Sequence, residues 1–120
     1  MAWINTQPKI RDLAIKINNE GKRSPWLGNE FNKMGMHRGA SDLFLAFPIK
    51  SFQLRPYYGL WIELKRSKVY TPSERKTVTW IKQEEFLLNM RNQGYAARMC
   101  FGANDAIEII EQYLLGLIIL

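Results

Sequence analysis

The residues of this chain that could do chemistry are concentrated in residues 59–65, GLWIELK, where two ionisable side chains stand in an apolar run. Side chains alternate along a strand, so Glu63 and Lys65 would point to the same face. An upstream apolar run, residues 42–47 (DLFLAF), begins with Asp42. If the two runs pair, Asp42 can approach Glu63, and two carboxylates with an ammonium group beside them are compatible with a divalent-metal site. Taken alone, Glu63 and Lys65 more often form only a solvated strand face.

Length and composition describe one compact globular domain spanning residues 1–120. The chain is 47% hydrophobic and 23% charged, which is ordinary for a globular protein and sufficient for a core. The single cysteine, Cys100, excludes an internal disulfide, and its apolar surroundings predict a buried thiol. With one histidine and no Cys/His cluster, a structural zinc site is not expected. No signal peptide is recognised, and the apolar residues 113–120 are too short to span a bilayer.

The charge balance favours a polyanionic partner. The net charge is +6 and the pI is near 9.6. Most of the basic residues lie in the first two thirds of the chain, which also carries the candidate site, whereas much of the acid follows residue 83.

Periodicity, turn residues and caps predict seven elements in the order β, α, β, β, α, β, α. They are a strand at 13–17, a helix from Ser24 and Pro25 to Gly35, strands at 42–47 and 59–65, a helix at 80–92, a strand at 95–101 and a helix at about 105–115 capped by Asn104. This order predicts an α/β fold with a central mixed sheet flanked by helices.

The remaining segments are expected to be connections or helix faces. Residues 1–12 are a short lead, residues 48–57 a connection, and residues 66–78 a mobile, basic excursion. Residues 116–120 are expected to pack on the core or on a second subunit. The buried helix faces are expected to comprise Trp80, Phe86 or Leu87, and Met90 in one helix, and Ile107, Ile110 and Leu114 in the last.

The ordered set of motifs resembles the VRR-NUC domain of the PD-(D/E)XK nuclease superfamily. Asp42, after Ser41, stands where that family has Pro-Asp, and residues 59–65 match its Gly-Leu-x-x-Glu-x-Lys strand. Gln83 stands for the glutamine that opens its next helix. Residues 19–23, 94–97 and 102–106 are similar to its first turn, its Gly-Tyr strand and the start of its last helix. The resemblance covers roughly residues 8–115.

Three features depart from the family pattern. Ser41 replaces the proline and leaves Asp42 intact. The connection from Lys65 to Gln83 is longer than usual, and Trp80 stands where a serine often precedes the glutamine. The helix that usually precedes the first strand, and often carries an acid, has almost no room here.

The resemblance implies a restriction-endonuclease-like core and a Mg²⁺- or Mn²⁺-dependent endonuclease acting on DNA. Asp42 and Glu63 would supply carboxylates to the metal, and the residue after the second acid, Leu64, would supply its main-chain carbonyl. Lys65 would act as an electrostatic stabiliser or as a general base. Gln83 would orient the attacking water or Lys65. Whether one or two metal ions act stays open.

The sequence leaves the roles of several further residues open. Glu20 is either a third acidic ligand or only a turn residue, and His37 is assigned no chemistry. Candidates for phosphate contacts, each equally compatible with a solvated basic surface, are Lys22, Arg23, Arg38, Arg66 and Lys68.

Similarity to stand-alone, phage-type members of the family implies a substrate of branched DNA such as a Holliday junction, a homodimer, no membrane and a cytoplasmic location in a bacterial or phage-infected cell. Two other readings stand beside the nuclease. One is a non-catalytic nucleic-acid-binding module that retains the fold. The other is a small structural protein whose basic face binds acidic protein.

Overall fold

The computed structural model describes residues 3–18, 40–50 and 56–117. The helix expected at 24–35 lies outside these residues. These described residues form six strands, namely β1 (Ala14–Asn18), β2 (Ala40–Leu45), β3 (Ile49–Lys50), β4 (Pro56–Tyr57), β5 (Leu60–Lys65) and β6 (Ala96–Phe101). The α-helices are α1 (Val78–Asn92) and α2 (Ala103–Leu114), and short 3₁₀ helices occupy Trp3–Thr6 and Glu74–Lys76. Within this part of the chain, no helix is long and apolar enough to cross a membrane.

The strands form a mixed four-stranded sheet in the order β1-β2-β5-β6. Neighbours β1/β2 and β2/β5 are antiparallel, whereas β5/β6 are parallel. Parallel neighbours need a crossover connection, and α1 supplies it between β5 and β6. The expectation of an α/β fold with a central mixed sheet and helices is therefore confirmed.

The helices pack on opposite faces of this sheet because β5 alternates between two apolar sets. Ile62 and Leu64 join the larger core beneath α2, whereas Trp61 packs with the smaller cluster beneath α1. The larger core also contains Leu43, Leu45, Leu60, Cys100, Ala106, Ile109, Ile110 and Tyr113. The smaller cluster is built on Trp80, Leu87, Ala97 and Met99. Cys100 is fully buried, as its apolar surroundings predict.

Two stretches that the sequence left as a lead and a connection are structured. In the lead, Ile4 and Ile10 are buried in the larger core, and the Gln7 carbonyl accepts a backbone hydrogen bond from the Arg11 amide at 3.0 Å. In the connection, β3 and β4 pair as a small antiparallel sheet. Neither stretch has a long alternating pattern, so periodicity could not reveal them.

The start and the buried face of α2 differ from expectation. Gly102, with φ of 91°, is the N-cap in place of Asn104, which lies inside the helix. Asp105 lies in the first turn, and its Oδ2 accepts a hydrogen bond from the Phe101 amide at 2.8 Å. The helix buries Ile109, Ile110 and Tyr113, while Ile107 and Leu114 are only half-buried.

The connection between β5 and α1 is a folded loop in place of the expected excursion. Lys68 forms an ion pair with Glu74 at 2.6 Å, and the Tyr70 hydroxyl donates to the Arg66 carbonyl at 2.8 Å. The Tyr70 ring packs against Trp80, with ring centroids 4.9 Å apart. These contacts hold the basic loop against the α1 side of the sheet.

Substitution of Gly59 by alanine is expected to destabilise the fold by about 2–3 kcal/mol. A Cβ at this position would lie 2.8 Å from the Leu45 carbonyl oxygen and 2.8 Å from a Phe44 ring carbon, and the backbone oxygen cannot move aside cheaply. Urea unfolding should show the loss as a lower midpoint with an unchanged slope. The exposed Ser67→Ala serves as the control. Equal midpoints for Gly59→Ala and wild type would show that β2 and β5 can separate locally at little cost.

Candidate active site

The sheet register places Asp42 of β2 directly opposite Glu63 of β5. The Gly59 and Lys65 carbonyls accept hydrogen bonds from the Ala96 and Gly102 amides, so both face the β6 side. Carbonyl directions alternate along a strand, so the Glu63 carbonyl also faces β6. Asp42 and Glu63 therefore form a non-hydrogen-bonded pair, the kind in which opposing side chains approach most closely.

The same alternation turns the Leu64 carbonyl towards the β2 side of β5. The last residue pair between β2 and β5 is Asp42 with Glu63, and Leu64 is the next residue of β5 beyond that pair. The Leu64 side chain itself is buried in the core beneath α2. The main-chain oxygen of Leu64 thus emerges beside the two carboxylates, at the end of the ladder.

Glu63 is the one buried charged residue in the described part of the chain, with 6% of its surface exposed. Burial raises the pKa of its carboxyl to about 9, and the hydrogen bond and negative charge of Asp42 act in the same direction. Lys65 opposes this shift only in part. In addition, Asp42 Oδ1 is buried and receives no hydrogen bond from the described residues.

A buried carboxylate that lies opposite a second carboxylate favours a positive charge beside it, either a proton on Glu63 or a metal ion, because adjacent like charges repel in a poorly solvated site. Hard oxygen ligands of this kind suit Mg²⁺ or Mn²⁺, which use few carboxylates and keep several waters. Residues 3–18, 40–50 and 56–117 contain no cluster of three or more His, Cys, Asp or Glu side chains. The oxygen atoms here that could hold such an ion are those of Asp42, Glu63 and the Leu64 carbonyl, and Glu20 lies outside the described residues.

Gln83, on the second turn of α1, joins Lys65 to Glu63. Its Oε1 accepts a hydrogen bond from Lys65 Nζ, and its Nε2 donates to Glu63 Oε1 at 2.8 Å. Lys65 Nζ also lies 4.9 Å from the Trp80 ring centroid. Burial lowers the pKa of Lys65, while the charges of Glu63 and Asp42 act against that shift. The structure thus brings together the four side chains that the sequence singled out for catalysis.

The carboxylates lie in a cleft of about 530 Å³ between α1 and the strands β1, β2 and β5. Residues 79, 82, 83 and 86 of α1 share one helix face, and Thr79, Lys82, Gln83 and Phe86 line one side of this cleft. Sequence reasoning missed Lys82 as a site residue. The signal that could have found it is its position next to Gln83 and one helical turn after Thr79.

The expected phosphate-contacting residues fall into two groups. Lys22, Arg23 and Arg38 lie outside the described residues, as does His37. Arg66 and Lys68 are exposed in the loop after β5, but Lys68 is paired with Glu74 and lies over the Tyr70 ring at 5.0 Å. The ion pair with Glu74 reduces the positive charge that Lys68 can offer to a phosphate.

No protein-family model matches this chain, and neither does any curated protein or solved structure.

Proposed function

We propose that this protein is a metal-dependent endonuclease that hydrolyses DNA phosphodiester bonds. The observation that carries the proposal is the direct opposition of Asp42 and Glu63 across β2 and β5, with Gln83 joining Glu63 to Lys65. Asp42, Glu63 and the Leu64 carbonyl would hold Mg²⁺ or Mn²⁺. The order of these residues along the chain, with its resemblance to the VRR-NUC pattern, supports the same reaction.

The chemistry divides between the metal and the residues of the chain. A bound divalent ion would polarise a phosphoryl oxygen and lower the pKa of its water. The Lys65 ammonium, fixed by Gln83 and Trp80, lies where it can stabilise negative charge on a phosphate held at the carboxylates. Because burial lowers its pKa, Lys65 is also nearer to serving as a general base than an exposed lysine is.

Positive charge around the cleft suits a polyanionic substrate. Lys82 lines the cleft, exposed Arg66 follows β5 directly, and the whole chain carries a net charge of +6. Such groups bind phosphates without reading the base sequence. DNA binding should therefore weaken steeply and log-linearly as salt is raised.

Branched DNA, such as a Holliday junction, is proposed as the substrate on the strength of the resemblance to phage-type nucleases. A symmetric junction is most simply cut by a two-fold dimer. Leu115 and Leu117, exposed after α2, offer apolar surface to such a partner.

The testing experiment is a cleavage assay on a labelled four-way junction and a matched linear duplex, with Mg²⁺, Mn²⁺ or EDTA. We expect cutting with either metal, none with EDTA, and loss of cutting in Asp42→Ala and Glu63→Ala while both variants still bind the junction. A preference for the junction would support branched DNA as the substrate. Salt-sensitive binding without cutting under any condition would favour the non-catalytic nucleic-acid-binding module instead.

Substitution of Gln83 by leucine is expected to lower the cleavage rate by about 10- to 100-fold, since a residue that orients catalytic groups typically has this effect. Leucine keeps the approximate volume but removes both hydrogen bonds, to Lys65 and to Glu63. Single-turnover cleavage separates the rate from binding. Gln112→Leu on α2, on the opposite face of the sheet, is the matched control. A cleavage rate equal to wild type would show that Gln83 does not hold Lys65 in its reactive position.

A further inference from the structure

The cleft that holds the carboxylates also has an apolar lining, which comes from Ile17, Trp61 and Phe86. Register places Ile15, Phe44 and Trp61 in one row across β1, β2 and β5. Because side chains alternate, this row shares its face with Asp42 and Glu63 two residues away on β2 and β5. Ile15 is 47% exposed although it lies on a strand face of the sheet.

Phe86 of α1 lies across from this row and is 43% exposed. Its ring packs edge-to-face on Trp61, with centroids 5.0 Å apart and an interplanar angle of 62°. Trp61 in turn packs against Phe44 at 5.5 Å. We call Trp61 and Phe86 the aromatic shelf. Its rings are supported from beneath and leave apolar surface open to solvent one helical turn from Gln83.

A second observation concerns the Trp61 indole. Its Nε1 is buried and has no acceptor among the described residues. A buried donor without a partner costs about 1–3 kcal/mol. Trp61 lines the cleft, so a rotation of the indole that exposes Nε1 would let an oxygen or nitrogen acceptor of a bound group satisfy this donor.

We propose that the aromatic shelf binds one unpaired nucleobase of the DNA strand whose phosphate lies at Asp42 and Glu63. This inference rests on the proposed function and names its substrate class, which is DNA with an unpaired nucleotide at the cleavage point. One cleft of about 530 Å³ combines an apolar ring surface, an indole donor, the Lys82 ammonium and the carboxylates. A nucleotide presents the matching groups, namely a flat π-face with edge acceptors beside a charged phosphate.

The proposal gives a physical reason for structure selectivity. In an intact duplex the bases are stacked and paired, so none can reach the aromatic shelf without an unstacking cost of a few kcal/mol. At a branch point, in a flap or in a single strand, bases are already unpaired, so binding one of them does not require this unstacking. Selectivity would then come from the shape of the DNA, without base-specific hydrogen bonds from the chain.

The test measures binding in EDTA, where no cleavage occurs, to a single-stranded oligonucleotide and to the matched duplex. Phe86→Leu keeps apolar volume against Trp61 but removes the exposed ring. We expect it to weaken single-strand binding by about 5- to 150-fold, the range for loss of one stacked base, with duplex binding unchanged within about twofold. Phe86→Tyr should retain single-strand binding. Leu88→Ala, on the opposite side of α1 and 51% exposed, should change neither.

The outcomes separate this inference from the proposed function. If Phe86→Leu weakens both DNAs equally or weakens neither, the shelf does not bind a base, even if wild-type protein cuts DNA with Mg²⁺. If Phe86→Leu selectively weakens single-strand binding but wild-type protein cuts no substrate with either metal, the base-binding inference is supported and the nuclease proposal fails. A 2-aminopurine at the nucleotide beside the branch adds a direct readout, because stacking on Phe86 should quench its fluorescence and Phe86→Leu should restore it.

Discussion

Glu63→Gln is expected to abolish metal-dependent cleavage, with a loss of at least about 10³-fold, and at the same time to stabilise the metal-free protein at alkaline pH. The amide cannot supply a charged oxygen ligand to the metal. It can, however, occupy the buried position opposite Asp42 without the cost of a second negative charge. A single substitution therefore moves activity and stability in opposite directions, which simple loss of structure cannot do.

The sign of the pH dependence follows from the raised pKa of Glu63. Its folded pKa of about 9 exceeds the ordinary value of 4.5, so the folded protein holds the proton more tightly than the unfolded chain between these values. This contribution to stability is fully present below pH 4.5 and is lost as pH rises through 9, at up to about 1.4 kcal/mol per pH unit. The lowered pKa of Lys65 acts in the opposite sense, but only between that lowered value and 10.5.

Thermal unfolding of the metal-free protein from pH 5 to 9 measures this effect. The wild-type free energy of unfolding should fall more steeply with pH than that of Glu63→Gln, and the exposed control Glu111→Gln should follow the wild type. Mg²⁺ should stabilise the wild type increasingly as pH rises, because metal binding must displace the proton. It should not stabilise Glu63→Gln. Parallel pH profiles for wild type and Glu63→Gln would contradict a raised pKa of Glu63 in the folded protein.

Lys65→Met is expected to lower the single-turnover cleavage rate by about 10³-fold while leaving metal-dependent stabilisation in place. Methionine keeps an unbranched apolar stem but has no ammonium to face a phosphate. It also leaves Gln83 Oε1 without the donor it has in the wild type. Because Asp42, Glu63 and the Leu64 carbonyl are unchanged, Mg²⁺ should still raise the melting temperature.

Lys65→Arg distinguishes a positional role from a simple need for positive charge. The planar guanidinium is larger than an ammonium, and Nζ of Lys65 is confined between Gln83 and the Trp80 ring, 4.9 Å from its centroid. We expect Lys65→Arg to restore little of the rate. Lys50→Met, an exposed lysine on β3, is the control and should cleave at the wild-type rate. Full activity in Lys65→Met would show that Lys65 has no role in the reaction beyond its packing against Trp80.

Local patterns were sufficient to place the candidate site residues on strands and a helix that the structure contains. Period-two alternation predicts that Glu63 and Lys65 share a face of one strand, and the structure shows both on the α1 side of β5. Turn residues and helix signals located β1, β5, α1, β6 and α2 within a few residues, because such signals act over short distances along the chain. The acid at the start of the upstream apolar run correctly indicated that Asp42 approaches Glu63.

Tertiary packing decided what the pattern left open. The pattern of α1 is weak, with Ile81 and Leu88 exposed and Leu87 buried, so the sequence could not choose between Phe86 and Leu87 for the core. Docking of α1 buried Leu87 and left Phe86 in the cleft beside Trp61. Periodicity specifies which side chains share a helix face, but it does not specify the position and rotation at which the helix packs on the sheet.

The electrostatics of the site likewise arise only in the folded chain. The raised pKa of Glu63 needs burial and the opposed Asp42, and both follow from the β2–β5 register. Gln83 can form hydrogen bonds with both Lys65 and Glu63 only because the crossover helix α1 packs back against β5, the strand that precedes it. The sequence by itself thus determined which residues carry charge and on which strand face they lie. Only the tertiary structure decided which of them meet and how deeply they are buried, because desolvation and register depend on contacts between residues distant along the chain.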